Sequence, residues 1–422
     1  MPGIDIMDES VAQEEKAYRP ALSIRKGEFI ALAAALMALN ALAIDVMLPA
    51  LQQIGAALQV AEENDRQFII TAYVIGFGVA QLFYGPIADR FGRRAPLLIG
   101  LAVYVLSSIA AALAPSFAAL LLFRCLQGIG AAATRVIAVS AIRDTFGGRQ
   151  MAEVMSMVMM VFMVIPVLAP SLGQVAMIFG GWPAIFFLMA GLGLVVTLWA
   201  AGRLPETLEP GMRRPLSPAS ILEGFRLVVT NRLALCYTLA MTAIFGGLFG
   251  FINSAQQIYV DIYGMGDWFP LLFALGAGLM AISSFTNSRL VGRFGMRRLS
   301  HGAMIGFLLT NAVWLGLTLI GPIPFALFFV LFSVSMFQFG LMGANFNAIA
   351  MEPLGKVAGT AAAVLGFVTT LGGGIVGALI GQAFDGTLTP LAGGYFVLGI
   401  VALVLVLIAE RGRLFRTVNP QV

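Results

Sequence analysis

Twelve apolar stretches, each close to the length of a membrane crossing, run through the chain between residues 29 and 409. A helix needs about 20 apolar residues to span a hydrocarbon core of about 30 Å. Lipid offers no partner to backbone N–H and C=O groups, so only helices or a closed barrel can cross it. These stretches are continuously apolar and not alternating, and Gly, Ala and Leu prevail in them, which selects helices. Composition agrees: of 422 residues, 59% are hydrophobic and 11% are charged, where a soluble globule carries about 25% charged residues. A water-soluble enzyme is excluded. The fold class expected is an all-α membrane protein with 12 transmembrane helices.

Basic residues set the orientation. Arg25, Lys26, Arg90, Arg93, Arg94, Arg143, Arg203, Arg213, Arg214, Arg293 and Arg411 fall on one side of the spans, and only Arg66 on the other. The positive-inside rule makes the first side cytoplasmic, with both termini there, and accounts for the basic surplus without any nucleic acid. The first 26 residues are polar and carry no secretory cleavage pattern, so the N-terminus is expected to stay in the cytoplasm. Cys125 and Cys236 both lie in apolar runs, where packing and not a disulfide is expected.

The longest polar connection carries Pro205, Pro210, Pro215 and Pro218 and divides the chain in two. The organisation expected is a tail at 1–26, a six-helix bundle at 27–202, a linker at 203–229, a second six-helix bundle at 230–410 and a tail at 411–422. Arg90-Phe91-Gly92 recurs as Arg293-Phe294-Gly295. Two pseudo-symmetric halves of six spans are the signature of a transporter built from parallel repeats.

Three charges lie within the spans. Asp45 is the only acid deep in an apolar stretch; a lone carboxylate there must be paired, face a cavity or be protonated. It is the natural proton carrier, the alternative being a structural ion pair or a helix-end acid reaching outward. By count along each span, Asp45 and Arg124 each sit about 10 Å from the same membrane face, so they can lie at one level and pair. Arg124, Gly128, Ala131 and Arg135 form one stripe at helical spacing, which is expected to face a water-filled cavity. Arg135 is either a cavity charge that tunes substrate preference or a side chain reaching toward the cytoplasmic interface.

The loop after the second span reads Gly85-Pro-Ile-Ala-Asp89-Arg90-Phe-Gly92-Arg93-Arg94. Gly85 permits close helix approach, Asp89 can meet a basic group or a helix N-terminus, Gly92 turns the chain, and Arg93 and Arg94 anchor it. This loop resembles the loop 2–3 motif of the major facilitator superfamily. The resemblance reads it as a latch holding the two halves together on the cytoplasmic side; without it, the loop is a plain basic one. In the second-half copy Gly292 stands where the acid should be, so a weaker latch is expected there. The fourth span carries Arg124-Cys-Leu-Gln127-Gly128-Ile-Gly130, and the fifth Pro166-Val-Leu-Ala169-Pro170-Ser-Leu-Gly173. They resemble that family's motif B and its motif C, which marks the drug:proton antiporters; for the fifth span the alternative is a helix kinked by proline for packing alone.

The Asp45 segment, Gln81-Leu-Phe-Tyr-Gly85-Pro86 and Ile142-Arg143-Asp144 look most like the Bcr/CflA branch of drug:proton antiporters, and Arg143 and Asp144 join the expected latch. That resemblance implies the major facilitator fold, a bacterial inner membrane, efflux of small drugs in exchange for protons, and a monomer. An exporter of a metabolite or amino acid on the same scaffold is the other reading. Substrate-cavity candidates in the first half are Asn40, Tyr73, Phe77, Gln81, Gln127, Arg135 and Met163. In the second half they are Phe245, Phe249, Asn253, Phe337 and Asn345. Aromatic walls with a few amides suit amphiphiles better than sugars. His301 is read as an interfacial residue at the start of the ninth span. The sequence shows neither metal-ligand spacing nor a nucleotide loop, so no metal or other cofactor is expected, and the proton gradient is the driving force.

Overall fold

The computed structural model describes residues 24–213 and 218–415. Helix α1 (Lys26–Asp45) stops at the buried acid because of Pro49, whose ring would strike the carbonyl of Asp45 and offers it no N–H. A 3₁₀ turn (Leu48–Ala50) leads on into α2 (Leu51–Ala57), and the two helices make one crossing. Helices α3 (Phe68–Phe91), α4 (Arg94–Ala112) and α5 (Phe117–Thr145) follow. Helix α6 (Gly148–Arg203) is broken at Gly180 and Gly181, the latter at φ 63°, a conformation that favours glycine, and so it crosses twice.

The second half comprises α8 (Arg232–Gln256), extended by a π turn (Gln257–Ile262), then α9 (Phe269–Phe294) and α10 (Met296–Ile320). It ends with α11 (Phe325–Met351), α12 (Ala358–Gln382) and α13 (Thr389–Ala409). Among the described residues, eleven apolar segments are long enough to cross a membrane; the one spanning Glu153–Arg203 contains the glycine break, which restores the twelve crossings. No strand occurs among the described residues.

The halves repeat one packing plan. In the first, α1 lies on α6, α3 on α5 and α4 on α5; in the second, α8 lies on α12, α9 on α11 and α10 on α11. Between the halves, α3 meets α12 and α6 meets α9. The closest helix approaches use glycine: a Cβ on Gly128 of α5 would collide with the Tyr73 carbonyl on α3.

The described end of the connection between the halves is helical where a polar linker was expected. It forms α7 (Pro218–Thr230), which rests on α8 and α12, with Val228 buried and Phe225 edge-on to Phe367 at 5.8 Å. Beyond α13 the chain folds back, and the Phe415 N–H donates to His301 Nδ1 at 3.1 Å. His301, near the start of α10, is therefore fully buried and not open to the surroundings. The fold-back covers it, and a buried imidazole finds its partners inside the protein.

Candidate functional site

Asp45 is 5% exposed and has neither a hydrogen bond nor an ion pair with a described residue. The expected pairing with Arg124 is not made. Arg124 is fully buried and spends its donors on neutral acceptors: Nε on the Ile69 carbonyl at 3.1 Å, Nη2 on the Ala43 carbonyl at 3.0 Å, and Nη1 on Gln127 Oε1 at 2.5 Å. Its guanidinium also lies over the Tyr73 ring, 4.6 Å from the centroid. One carbonyl is two residues before Asp45, so Arg124 ties α5 to the last turn of α1 without neutralising the acid. A carboxylate in such surroundings lacks the compensation that buried charges ordinarily have.

The motif C segment reaches the same place. Pro166 is partly buried, Ala169 and Pro170 are buried, and Gly173 sits so close to the Val46 carbonyl that any side chain there would strike backbone. The glycine of α6 thus bears on the residue after Asp45, while α6 also meets α9 of the other half.

The loop motif closes within one half. Arg93, with its side chain 3% exposed, binds Asp89 at 2.6 Å and Asp144 at 2.7 Å. Burial acts against its charge, and Asp144 and Asp89 offset this and raise its pKa above the ordinary arginine value. Glu206 accepts from the backbone N–H groups of Arg93 and Arg94, at 2.8 and 3.2 Å, across Gly92, whose φ is 90°. Arg94 also donates to the Ala201 carbonyl. Arg90 and Arg143 are exposed, and Gly85 has open space beside it. The expected latch between halves is therefore, in this structure, a clamp joining the ends of α3, α5 and α6. Asp89 does meet a basic group, but it is Arg93 of its own motif, which also holds Asp144.

Three of the first-half cavity candidates, Asn40, Tyr73 and Phe77, touch one another. Tyr73 donates to Asn40 Oδ1 at 2.8 Å and stacks on Phe77 at 6.1 Å. Gln127 departs from expectation: it holds Arg124 and donates to Ser108 Oγ at 2.7 Å, which turns it into the bundle. The Gln81 Nε2 and Asn253 Oδ1 atoms are buried without a partner. Among the second-half candidates, Asn345 is withdrawn from any cavity, since it donates to Asn287 at 2.7 Å inside its own half. Phe245 packs on Phe339 at 5.5 Å, and Phe249 lies against Gly377 of α12. Phe337 is partly buried. The side chain of Met163 lies outside the described residues.

Hydrogen bonds between described residues of the two halves cluster at the end opposite the loop motif. Asn64 donates to the carbonyls of Gln382 and Phe384, at 3.1 and 2.8 Å. Gln257 donates to Asn64 Oδ1 at 2.8 Å and accepts from Gln67 at 2.7 Å. Gln67 also donates to the Gly381 carbonyl, Gln382 to the Asn64 carbonyl, and Gln52 to Asp261. Amides make nearly all of this clasp, so the halves are held together there almost without ion pairs.

Two pseudo-symmetric six-helix units, joined at one end, with a buried acid in the first span, make a transporter architecture. Residues 30–378 match the Major Facilitator Superfamily. The chain belongs to this family. A bicyclomycin resistance protein homolog of Haemophilus influenzae is 31% identical over 366 residues, covering 86% of this chain and 90% of the relative. The multidrug resistance protein MdtL of Escherichia coli O6:K15:H31 is 30% identical over 398 residues, covering 91% and 96%. The xylose transporter XylE of E. coli shares the fold at a TM-score of 0.68 and 12% identity, over 91% of this chain and 97% of that one. This protein is a multi-pass membrane transporter of the major facilitator superfamily and not an enzyme.

This major facilitator protein also has a second-half counterpart of the loop clamp that the sequence reading missed. Arg297 binds Glu352 and Glu410, both at 2.8 Å, so acids at the ends of α11 and α13 replace the one lost at Gly292. Tyr237 bridges Glu410, at 2.9 Å, and His301 Nε2, at 2.7 Å. The loss at Gly292 was visible; acids distant in sequence were not assignable to Arg297. Substituting Tyr237→Phe should remove this bridge at a cost of about 1 kcal/mol. The expected result is a lower midpoint of thermal unfolding in detergent, with Tyr237→Trp faring worse.

Proposed function

We propose that this protein exports small amphiphilic drugs across the bacterial inner membrane in exchange for protons, by alternating access and with Asp45 as the proton carrier. The observation that carries the reading is Asp45 itself, an acid buried in a span without a cation. A proton bound there removes a charge that the surroundings do not compensate, and a coupled switch needs such a difference between two states. Arg124 acts by fixing the last turn of α1 beside the acid, and the Gly173 contact passes the change to α6. The loop-motif end faces the cytoplasm under the positive-inside rule. In that orientation the clasp closes the periplasmic side, and drug enters from the cytoplasm. The names of the relatives, bicyclomycin resistance and multidrug resistance, support drugs as cargo. The protein works as a monomer in the lipid bilayer, with the proton gradient in place of any cofactor.

The test is export of a panel of amphiphilic drugs from bacterial cells stripped of their own pumps, with and without an uncoupler. Export of at least one drug that stops on adding the uncoupler is the expected result. If no drug is exported while a polar metabolite is, the cargo assignment is wrong.

A further inference from the structure

We infer that Arg135 and Gln81 together bind an anionic group, so that the amphiphiles this transporter prefers carry a carboxylate. The inference rests on the transport reading and deepens it.

Span interiors among the described residues hold the charges of Asp45, Arg124 and Arg135. Arg124 is fully buried, and its donors already have acceptors. Arg135 is different. It is only partly buried, and it makes no hydrogen bond or ion pair with any described residue. A guanidinium about 15 Å inside the end of α5 is costly unless water or an anion reaches it. The nearest acid on its own helix, Asp144, is held by Arg93.

Its position points to the seam between the halves. Arg135 follows Arg124 by eleven residues, which turns it only about 20° around the helix. That face looks toward α1 and α3, where Arg124 reaches the Ala43 and Ile69 carbonyls. Helices α3 and α5 run parallel, with Arg124 level with Ile69, and Gly128 level with Tyr73 and Phe77. The same register, with Gly76 against the Cys125 carbonyl, sets Arg135 level with residues 80–86 of α3, a stretch that contains Gln81. Gln81 is 5% exposed, its Nε2 has no acceptor, and its Oε1 lies beside Gly366 of α12 in the other half.

Two neighbouring helices thus present donors without acceptors at one level of the seam. A carboxylate supplies what both lack: two oxygens in one plane suit the guanidinium fork, with lone pairs left for an amide N–H. A lipophilic cation gains nothing at this level, where the one fixed charge is positive.

Equilibrium binding in lipid nanodiscs tests this without any proton gradient, so it can fail while drug export stands. The probes are dansylated undecanoic acid and its methyl ester, which has no charge for Arg135 to meet. In phosphatidylcholine discs the wild type should bind the acid about tenfold more tightly than the ester. Arg135→Gln should erase that preference, and Gln81→Glu, which places a carboxylate beside Arg135, should erase it too. Arg135→Lys should keep part of it, as a point charge without the fork. Equal affinities in the wild type, or a preference that survives both Arg135→Gln and Gln81→Glu, overturns the inference. So does loss of the preference on moving the wild type into phosphatidylglycerol discs, which would assign the donors to a lipid headgroup.

Discussion

Asp45→Asn is expected to abolish proton-driven export, with a loss of more than about tenfold in initial rate, while the protein still inserts, folds and binds drug. The asparagine keeps the shape of the side chain and removes its titration. Breaking a buried ion pair would ordinarily cost about 3–5 kcal/mol by stranding the partner. No partner is stranded here, because Arg124 is satisfied by Ala43, Ile69 and Gln127. The variant should therefore match the wild type in yield and thermal midpoint, and this separates loss of coupling from loss of fold. The measurement is drug accumulation in pump-deficient cells, alongside drug-induced proton release in proteoliposomes. Uncoupler-sensitive export that survives Asp45→Asn would move the proton site to another residue. Arg124→Leu should behave differently and lower the yield as well, because it takes a donor from two span carbonyls and leaves the buried Gln127 amide oxygen without one.

The contrast between these two residues shows how far the sequence was legible. Apolar run length dictated the spans, and even the break at Gly180 and Gly181 agreed with the gap between two stretches, because crossing a bilayer is a local requirement met by each helix alone. Asp45 stood out for the same local reason, as a charge in a run that excludes charges. Which groups touch was not legible. Equal depth allowed Asp45 and Arg124 to pair, yet the arginine reaches the carbonyl two residues before the acid. Depth fixes a level, and only packing fixes direction. The loop clamp shows the same limit: Asp89 and Arg93 share one motif and Asp144 belongs to a second that the resemblance joined to it, whereas Glu206 beyond the sixth span, and Glu352 and Glu410 in the second half, join their clusters only through the tertiary fold. Amides were the hardest to read, since Asn and Gln at span ends look like ordinary loop residues until their partners across the seam are known.

Those amides carry the second large expected effect. The double substitution Asn64→Ala with Gln257→Leu removes four hydrogen bonds between or beneath the halves: two from Asn64 to carbonyls, one from Gln257 to Asn64 and one from Gln67 to Gln257. At about 0.5–1.5 kcal/mol net each, the joined state loses roughly 2–6 kcal/mol, well over a tenfold shift in the ratio of states. Spin labels at Ala61 and Ala383, with Cys125 and Cys236 replaced by alanine, report the separation at this end. Both positions are exposed and flank the clasp. The wild type should give mostly the short distance, and the double variant mostly a longer one. Because the clasp is built largely of neutral amides, its grip should vary little with external pH, which leaves the control of opening to the acid buried below it. A wild-type distance distribution that changes strongly with external pH, and does so equally in Asp45→Asn, would contradict that division of labour. One that responds to pH only when Asp45 is present would place the proton and the gate in a single switch, with the Gly173 contact on Val46 as its mechanical link.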